Sequence, residues 1–215
     1  MTLSFSYSFL SQDENCPEAA RHLFVLRDFK KSWTTEGGID IHKLLEQRLR
    51  YKQPLPETLA KAEPMVTSLE RIGTPEVEVS YAVGRDLLPS GFWSGYLRGK
   101  YDVVVRSMGT HSAFIGDWKS GKVRESPDQL ELGALLLMAN ETRIDTVVGA
   151  NLWLQKSTVG TPYTFKRTEK GPLWAKWLAR MNAIEKRDAG VEWEKREGPL
   201  CAYCPVKTCT YYRGG

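Results

Sequence analysis

The sequence predicts a mixed α/β domain, and three stretches predict it. Tyr101 to Val105 is β-branched and almost continuously apolar, the pattern of a strand buried on both faces. Ala113 to Lys119 reads as a second, shorter strand that ends on polar residues. Ile41, Leu44, Leu45 and Leu49 recur at helical spacing across residues 39–51. Helices and strands thus share the chain, and 215 residues fit one domain covering residues 1–215.

Taken in order, residues 1–10 mix serine with aromatics and read as an extended arm. Pro17 opens a helix from about residue 18 to residue 27. Gly37 and Gly38 break the chain before the helix at 39–51. His42 lies beside that helix's apolar stripe and, on the residues alone, reads as a surface or satisfied core histidine. Residues 52–75 carry Pro54, Pro56, Pro64 and Pro75 and read as a connector with a short helical stretch. Glu76 to Val83 alternates like a half-buried strand, with Glu78 as a solvated position. Phe92 to Arg98 is a further short strand candidate. The loop from Ser107 to Ser112 carries turn residues.

Ser126, Pro127 and Gln129 form a helix start, with Ser at N-cap, Pro at N1 and Gln as capping-box partner. An apolar run then continues to about Asn140. Asp145 to Gln155 and Thr161 to Arg167 read as strands, and Leu173 to about Lys186 as a helix. Trp174, Trp177, Leu178 and Met181 share one side of that helix, as a packing surface or a base-stacking platform.

Composition narrows the function classes. Thirty Lys and Arg against 26 Asp and Glu give +4, which permits a nucleic-acid partner without demanding one. No apolar run approaches the ~20 residues that cross a bilayer, so no membrane role is expected. Asp13 and Glu14 arrive early without a basic leader, so the cell interior is expected. There, clustered cysteines more often bind metal than form disulfides.

Two constellations carry chemistry. Asp117 and Lys119 are two residues apart and share a strand face. If the two strands pair as a hairpin, Asp102 joins them. Two carboxylates and an ammonium around one divalent cation can generate and manage a reacting water. The second constellation is Cys16 near one end of the sequence and Cys201, Cys204 and Cys209 near the other. Four thiolates are a full set for a tetrahedral zinc or an iron–sulfur cluster, and the spacing alone does not choose.

An Asp followed by Asp-x-Lys on the next strand resembles the PD-(D/E)XK nuclease superfamily. Gly99-Lys100-Tyr101-Asp102 and Asp117-Trp118-Lys119-Ser120-Gly121 resemble its RecB-like branch. Gly38 and His42 match that branch's Gly-x-x-x-His helix, and Gln129 matches the Gln of its Gln-x-x-x-Tyr motif, where the Tyr position is Gly133. Ser4 to Ser8 and Cys16-Pro17 resemble its opening segment.

The resemblance implies a restriction-endonuclease-like core, α-β-β-β-α-β with a mixed central sheet flanked by helices, over about residues 39–168. It implies that His42, Asp102, Asp117 and the Trp118 carbonyl ligate Mn2+ or Mg2+, with imidazole favouring Mn2+. Lys119 and Gln129 become catalytic, and Glu78 becomes a supporting residue. One cysteine before the core and three after it resemble the iron–sulfur staple of AddB-type and CRISPR-associated four-cysteine nucleases. That implies a [4Fe-4S] cluster rather than zinc, joining segments at about 1–30 and 195–215. The implied activity is an exonuclease on DNA that is single-stranded or has accessible ends, in the cytoplasm of a prokaryotic cell or encoded by a phage. A CRISPR-type DNA-processing nuclease shares this chemistry with different partners. A non-cleaving iron–sulfur module that binds nucleic acid is the competing class.

Overall fold

The computed structural model describes residues 3–28, 41–107, 109–121, 123, 126–190 and 192–214. In chain order its elements are α1 (Tyr7–Asn15), α2 (Pro17–Ala20), a π-helical segment (Arg21–Leu26) and α3 (Ile41–Tyr51). A 3-10 segment (Glu57–Ala62) leads into α4 (Glu63–Ile72), followed by β1 (Pro75–Val83), β2 (Leu97–Arg106) and β3 (Ser112–Lys119). Then come α5 (Asp128–Asn140), β4 (Thr146–Trp153), β5 (Thr158–Val159), β6 (Tyr163–Lys166) and α6 (Lys170–Gly190). The chain divides into two compact units, residues 40–175 and residues 1–39 with 176–215.

The larger unit is built on a six-stranded sheet in the order β1-β2-β3-β4-β5, with β6 also paired to β4. β1, β2 and β3 are antiparallel neighbours. β3 and β4 are parallel, so a crossover is required, and α5 supplies it. This is the α-β-β-β-α-β order of a restriction-endonuclease-like fold, a mixed sheet flanked by helices. α5 is apolar nearly all round, and Leu130, Leu132 and every residue from Ala134 to Ala139 are buried. Leu45 and Leu49 of α3 and Met65, Val66 and Leu69 of α4 form a core with Val77, Val103, Val105, Trp118 and Leu152.

Three elements differ from the sequence reading. The connector at 52–75 holds a ten-residue helix, because Pro64 sits in its first turn, where a missing N–H costs nothing. Phe92 to Arg98 is not a separate strand: residues 92–94 form a turn and Leu97 begins β2. The arm at 1–10 gives way to α1, started by Ser6, whose Oγ accepts from the Phe9 amide at 3.3 Å. In that smaller unit Phe5, Phe9 and Phe24 stack in series, with centroids 5.3 and 5.0 Å apart. Trp177 and Met181 of α6 are fully buried, so this face is packing surface and not a base platform.

Strand alternation reverses inside the β1–β2 pair. Val77 and Val103 belong to the α3–α4 core, whereas Tyr101 sends its hydroxyl to the Gly133 carbonyl on α5 at 2.6 Å. In an undistorted strand Tyr101 and Val103 would share a face. The residue between them is Asp102, and opposite it in register is Glu78, a non-glycine residue at φ 59°. Such backbone costs about 1–3 kcal/mol and tends to mark functional positions.

Candidate active site

β2 and β3 pair from Val103 opposite Gly116 to Arg106 opposite Ala113. Beyond Val103 and Gly116 the ladder between them stops, and Asp102 and Asp117 stand at that split. The Asp102 carboxylate takes over from the ladder: Trp118 donates its amide to Asp102 Oδ2 at 2.8 Å. A residue's N–H and C=O leave a strand on the same side, so the Trp118 carbonyl is directed toward the split as well. The Trp118 ring is buried in the α3–α4 core on the other side of the backbone.

α3 delivers His42, whose Nδ1 lies 3.2 Å from Asp102 Oδ1. The Gly38 half of its helix motif lies outside the described residues. α5 delivers Gln129 at its first turn. The capping box expected there is absent: Pro127 occupies the N-cap in an αR conformation without a side-chain cap. Freed from that duty, Gln129 donates from Nε2 to Asp117 Oδ1 and accepts from Lys119 Nζ at 3.0 Å through Oε1. Lys119 Nζ also lies 2.5 Å from Asp117 Oδ2 as an ion pair. Oδ2 is buried, and the Lys119 ammonium is its close partner.

Burial raises the Asp117 carboxyl above the usual carboxylate range; Lys119 and His42 oppose this and Asp102 adds to it. His42, Asp102 and Lys119 thus share one electrostatic neighbourhood with Asp117. Two carboxylates stand at the split, the ligand type that a hard divalent cation takes. Among the described residues, no three His, Cys, Asp or Glu side chains are placed as a group that could hold a metal ion. Lys119 and Gln129 hold the Asp117 carboxylate in its present position.

Glu78 is half-buried and ion-paired to Lys100 on the neighbouring strand, so it is not the bare solvated position of the sequence reading. Gly133, at the resemblance's tyrosine position, is filled from across the sheet. A Cβ there would lie 3.1 Å from Ile115 Cδ1 and 3.2 Å from Tyr101 Cε1. Gly133→Tyr should therefore destabilise the fold by about 3 kcal/mol or more through overpacking. Urea denaturation measures it, and an unchanged midpoint would show that the Tyr101 contact yields.

The second constellation lies in the smaller unit. All four cysteines are free thiols. Cys16 precedes Pro17 at the start of α2. Cys201 begins a turn closed by Cys204, and Gly198 donates its amide to Cys201 Sγ at 3.4 Å. Burial pushes the Cys204 thiol up, and Cys16, Cys209 and Cys201 each push it further. Among the described residues the four thiols are not placed as a group that could hold a metal ion.

The model of the PD-(D/E)XK nuclease superfamily matches residues 60–209, more than half of the chain. The chain belongs to the PD-(D/E)XK nuclease superfamily. The match spans β2, β3 and α5, and with them Asp102, Asp117, Lys119 and Gln129. Nucleases of this superfamily use divalent metals such as Mg2+ or Mn2+. No curated protein matches the chain. The crystal structure of SSO0001 aligns over 96% of this chain and 96% of that one, at 11% identity and a TM-score of 0.37. No described helix of this superfamily member is long and apolar enough to cross a membrane.

Proposed function

We propose that this chain is a divalent-metal-dependent deoxyribonuclease that degrades DNA from its ends without reading sequence. The observation that supports it most is the split between β2 and β3. It places Asp102 and Asp117 side by side, with Lys119 ion-paired to the buried Asp117 carboxylate. In this reading His42, Asp102, Asp117 and the Trp118 carbonyl hold Mn2+ or Mg2+. A bound ion of this kind supplies a water of lowered pKa and offsets charge growing on the scissile phosphate. Lys119 positions the attacking water or steadies the developing negative charge. Gln129, now held between Lys119 and Asp117, orients both groups and can pass its amide to the water or the DNA backbone.

The same reading assigns Cys16, Cys201, Cys204 and Cys209 to a structural [4Fe-4S] cluster. The resemblance to iron–sulfur nucleases is what supports this assignment, and it favours iron over zinc. A cluster here would tie the two chain ends together across most of the sequence, where cross-linking is most effective in theory.

End dependence is what the resemblance to RecB-like nucleases implies, and sequence independence fits the chain's modest charge. Net charge is only +4, and the sequence carries no helix-turn-helix or zinc-finger pattern for reading a major groove. Affinity then comes from backbone phosphates beside the metal site. Single-stranded DNA of one length, linear and circular, tests this at equal nucleotide concentration. Faster loss of the linear form is expected. Equal rates would replace the exonuclease with an endonuclease.

A further inference from the structure

The loop from Gly84 to Tyr96, which joins β1 to β2, is rigid yet exposes a tryptophan. Its base is pinned by backbone hydrogen bonds from Ser90 to Ala82 at 3.1 Å and from Tyr96 to Val83 at 2.9 Å. A bridge between Val83 and Pro89 and the buried side chains of Leu87 and Tyr96 reinforce it. Its tip is closed by Ser94, whose amide and hydroxyl both donate to the Gly91 carbonyl, at 3.1 and 3.2 Å. On that tip Trp93 is 84% exposed, although tryptophan gains more than most residues from burial. Phe92 packs edge-on against it at 5.2 Å, and the Arg98 guanidinium sits 5.4 Å from both ring centroids.

We propose that Trp93, with Phe92 and Arg98, is a stacking platform that grips a base of single-stranded DNA on its way to the Asp102–Asp117 split. This rests on the nuclease reading and deepens it. Three observations favour single-stranded DNA as the occupant. An exposed indole face accepts any base, which suits an enzyme that does not read sequence. Arg98 supplies the cation that a phosphate needs beside a stacked base, and it already stacks on the rings. The platform is also continuous with the site. Arg98 lies on β2, the strand of Asp102, and Leu97 to Asp102 spans about 17 Å at strand rise. β3 runs antiparallel to β2, so Asp117 and Lys119 lie toward the same end of the sheet as this loop. The sequence reading missed the platform by taking Phe92 to Arg98 for a strand.

The test places Trp93→Ala in the Asp117→Asn background, which holds DNA uncut. Fluorescence anisotropy compares a labelled linear single-stranded oligonucleotide with an abasic one of equal length and charge. Trp93→Ala should weaken binding of the base-bearing strand about tenfold and leave the abasic strand unchanged. Trp93→Phe should keep most of the affinity. Because Trp93 is exposed, circular dichroism should show both variants folded. Equal affinity of Trp93→Ala and its parent for the base-bearing strand overturns the platform, as it would if the loop served a protein partner. Wild-type cleavage of the same oligonucleotide separates the two claims. Protein that neither binds nor cuts it removes the nuclease reading and the platform together. Trp93→Ala protein that binds and cuts like wild type removes the platform alone.

Discussion

Lys119→Ala should lower the rate of DNA cleavage by about 10²–10³-fold, the usual cost of removing one charge-stabilising donor from a reacting centre. Lys119 Nζ bridges Asp117 Oδ2 and Gln129 Oε1, so truncation removes the positive charge that both groups share. Its side chain is one-third exposed, so the truncated protein should still fold. Asp117→Asn keeps the shape of the carboxylate and removes its charge, so the loss should be at least as large. This variant also relieves the desolvation that raises the Asp117 carboxyl. Metal-free Asp117→Asn should melt no lower than metal-free wild type, while Mn2+ should stabilise wild type alone. A near-wild-type rate for either variant, measured on end-labelled DNA with saturating Mn2+, would move the active site elsewhere.

Replacing any one of Cys16, Cys201, Cys204 and Cys209 by Ala should strip the protein of iron and lower its melting temperature together. Protein prepared without oxygen should be brown and contain iron and acid-labile sulfide. The stability loss should be about 2–5 kcal/mol, the range for opening a cross-link that closes a long loop. The four variants should behave alike, because each removes one ligand of a shared centre. Stoichiometric zinc with no iron after anaerobic preparation would replace the cluster by a zinc staple. A single variant that keeps its metal would show that its thiol is not a ligand.

The site was legible where strand period and chemistry coincide. Asp102, Asp117 and Lys119 stand out because carboxylates and an ammonium end apolar strands, and the hairpin between those strands does pair. Gln129 carried two sequence readings, capping partner and site residue. Its orientation depended on whether Ser126 or Pro127 ends the helix, a one-residue question that propensity does not decide. Helical spacing left Trp177 between packing surface and base platform, and its burial decides for packing.

Other features had no local signature. α1 was hidden because alternating Ser and aromatic residues imitate a strand, and only the Ser6 cap and the burial of Phe9 and Leu10 decide for helix. The left-handed Glu78 was invisible because no glycine marks it; it stands at the step the β1–β2 register skips, between Val77 and Val79. Gly133 reads as a missing tyrosine until Tyr101 is seen to occupy its space from the sheet.

The most direct test compares wild type and Asp117→Asn on one end-labelled linear single-stranded DNA, each with Mn2+, with Mg2+ and with EDTA. Wild type should release label with either metal, faster with Mn2+, and fall to background in EDTA, while Asp117→Asn stays at background throughout. Label release by wild type in EDTA, or by Asp117→Asn at the wild-type rate, would contradict a metal-dependent nuclease centred on the β2–β3 split.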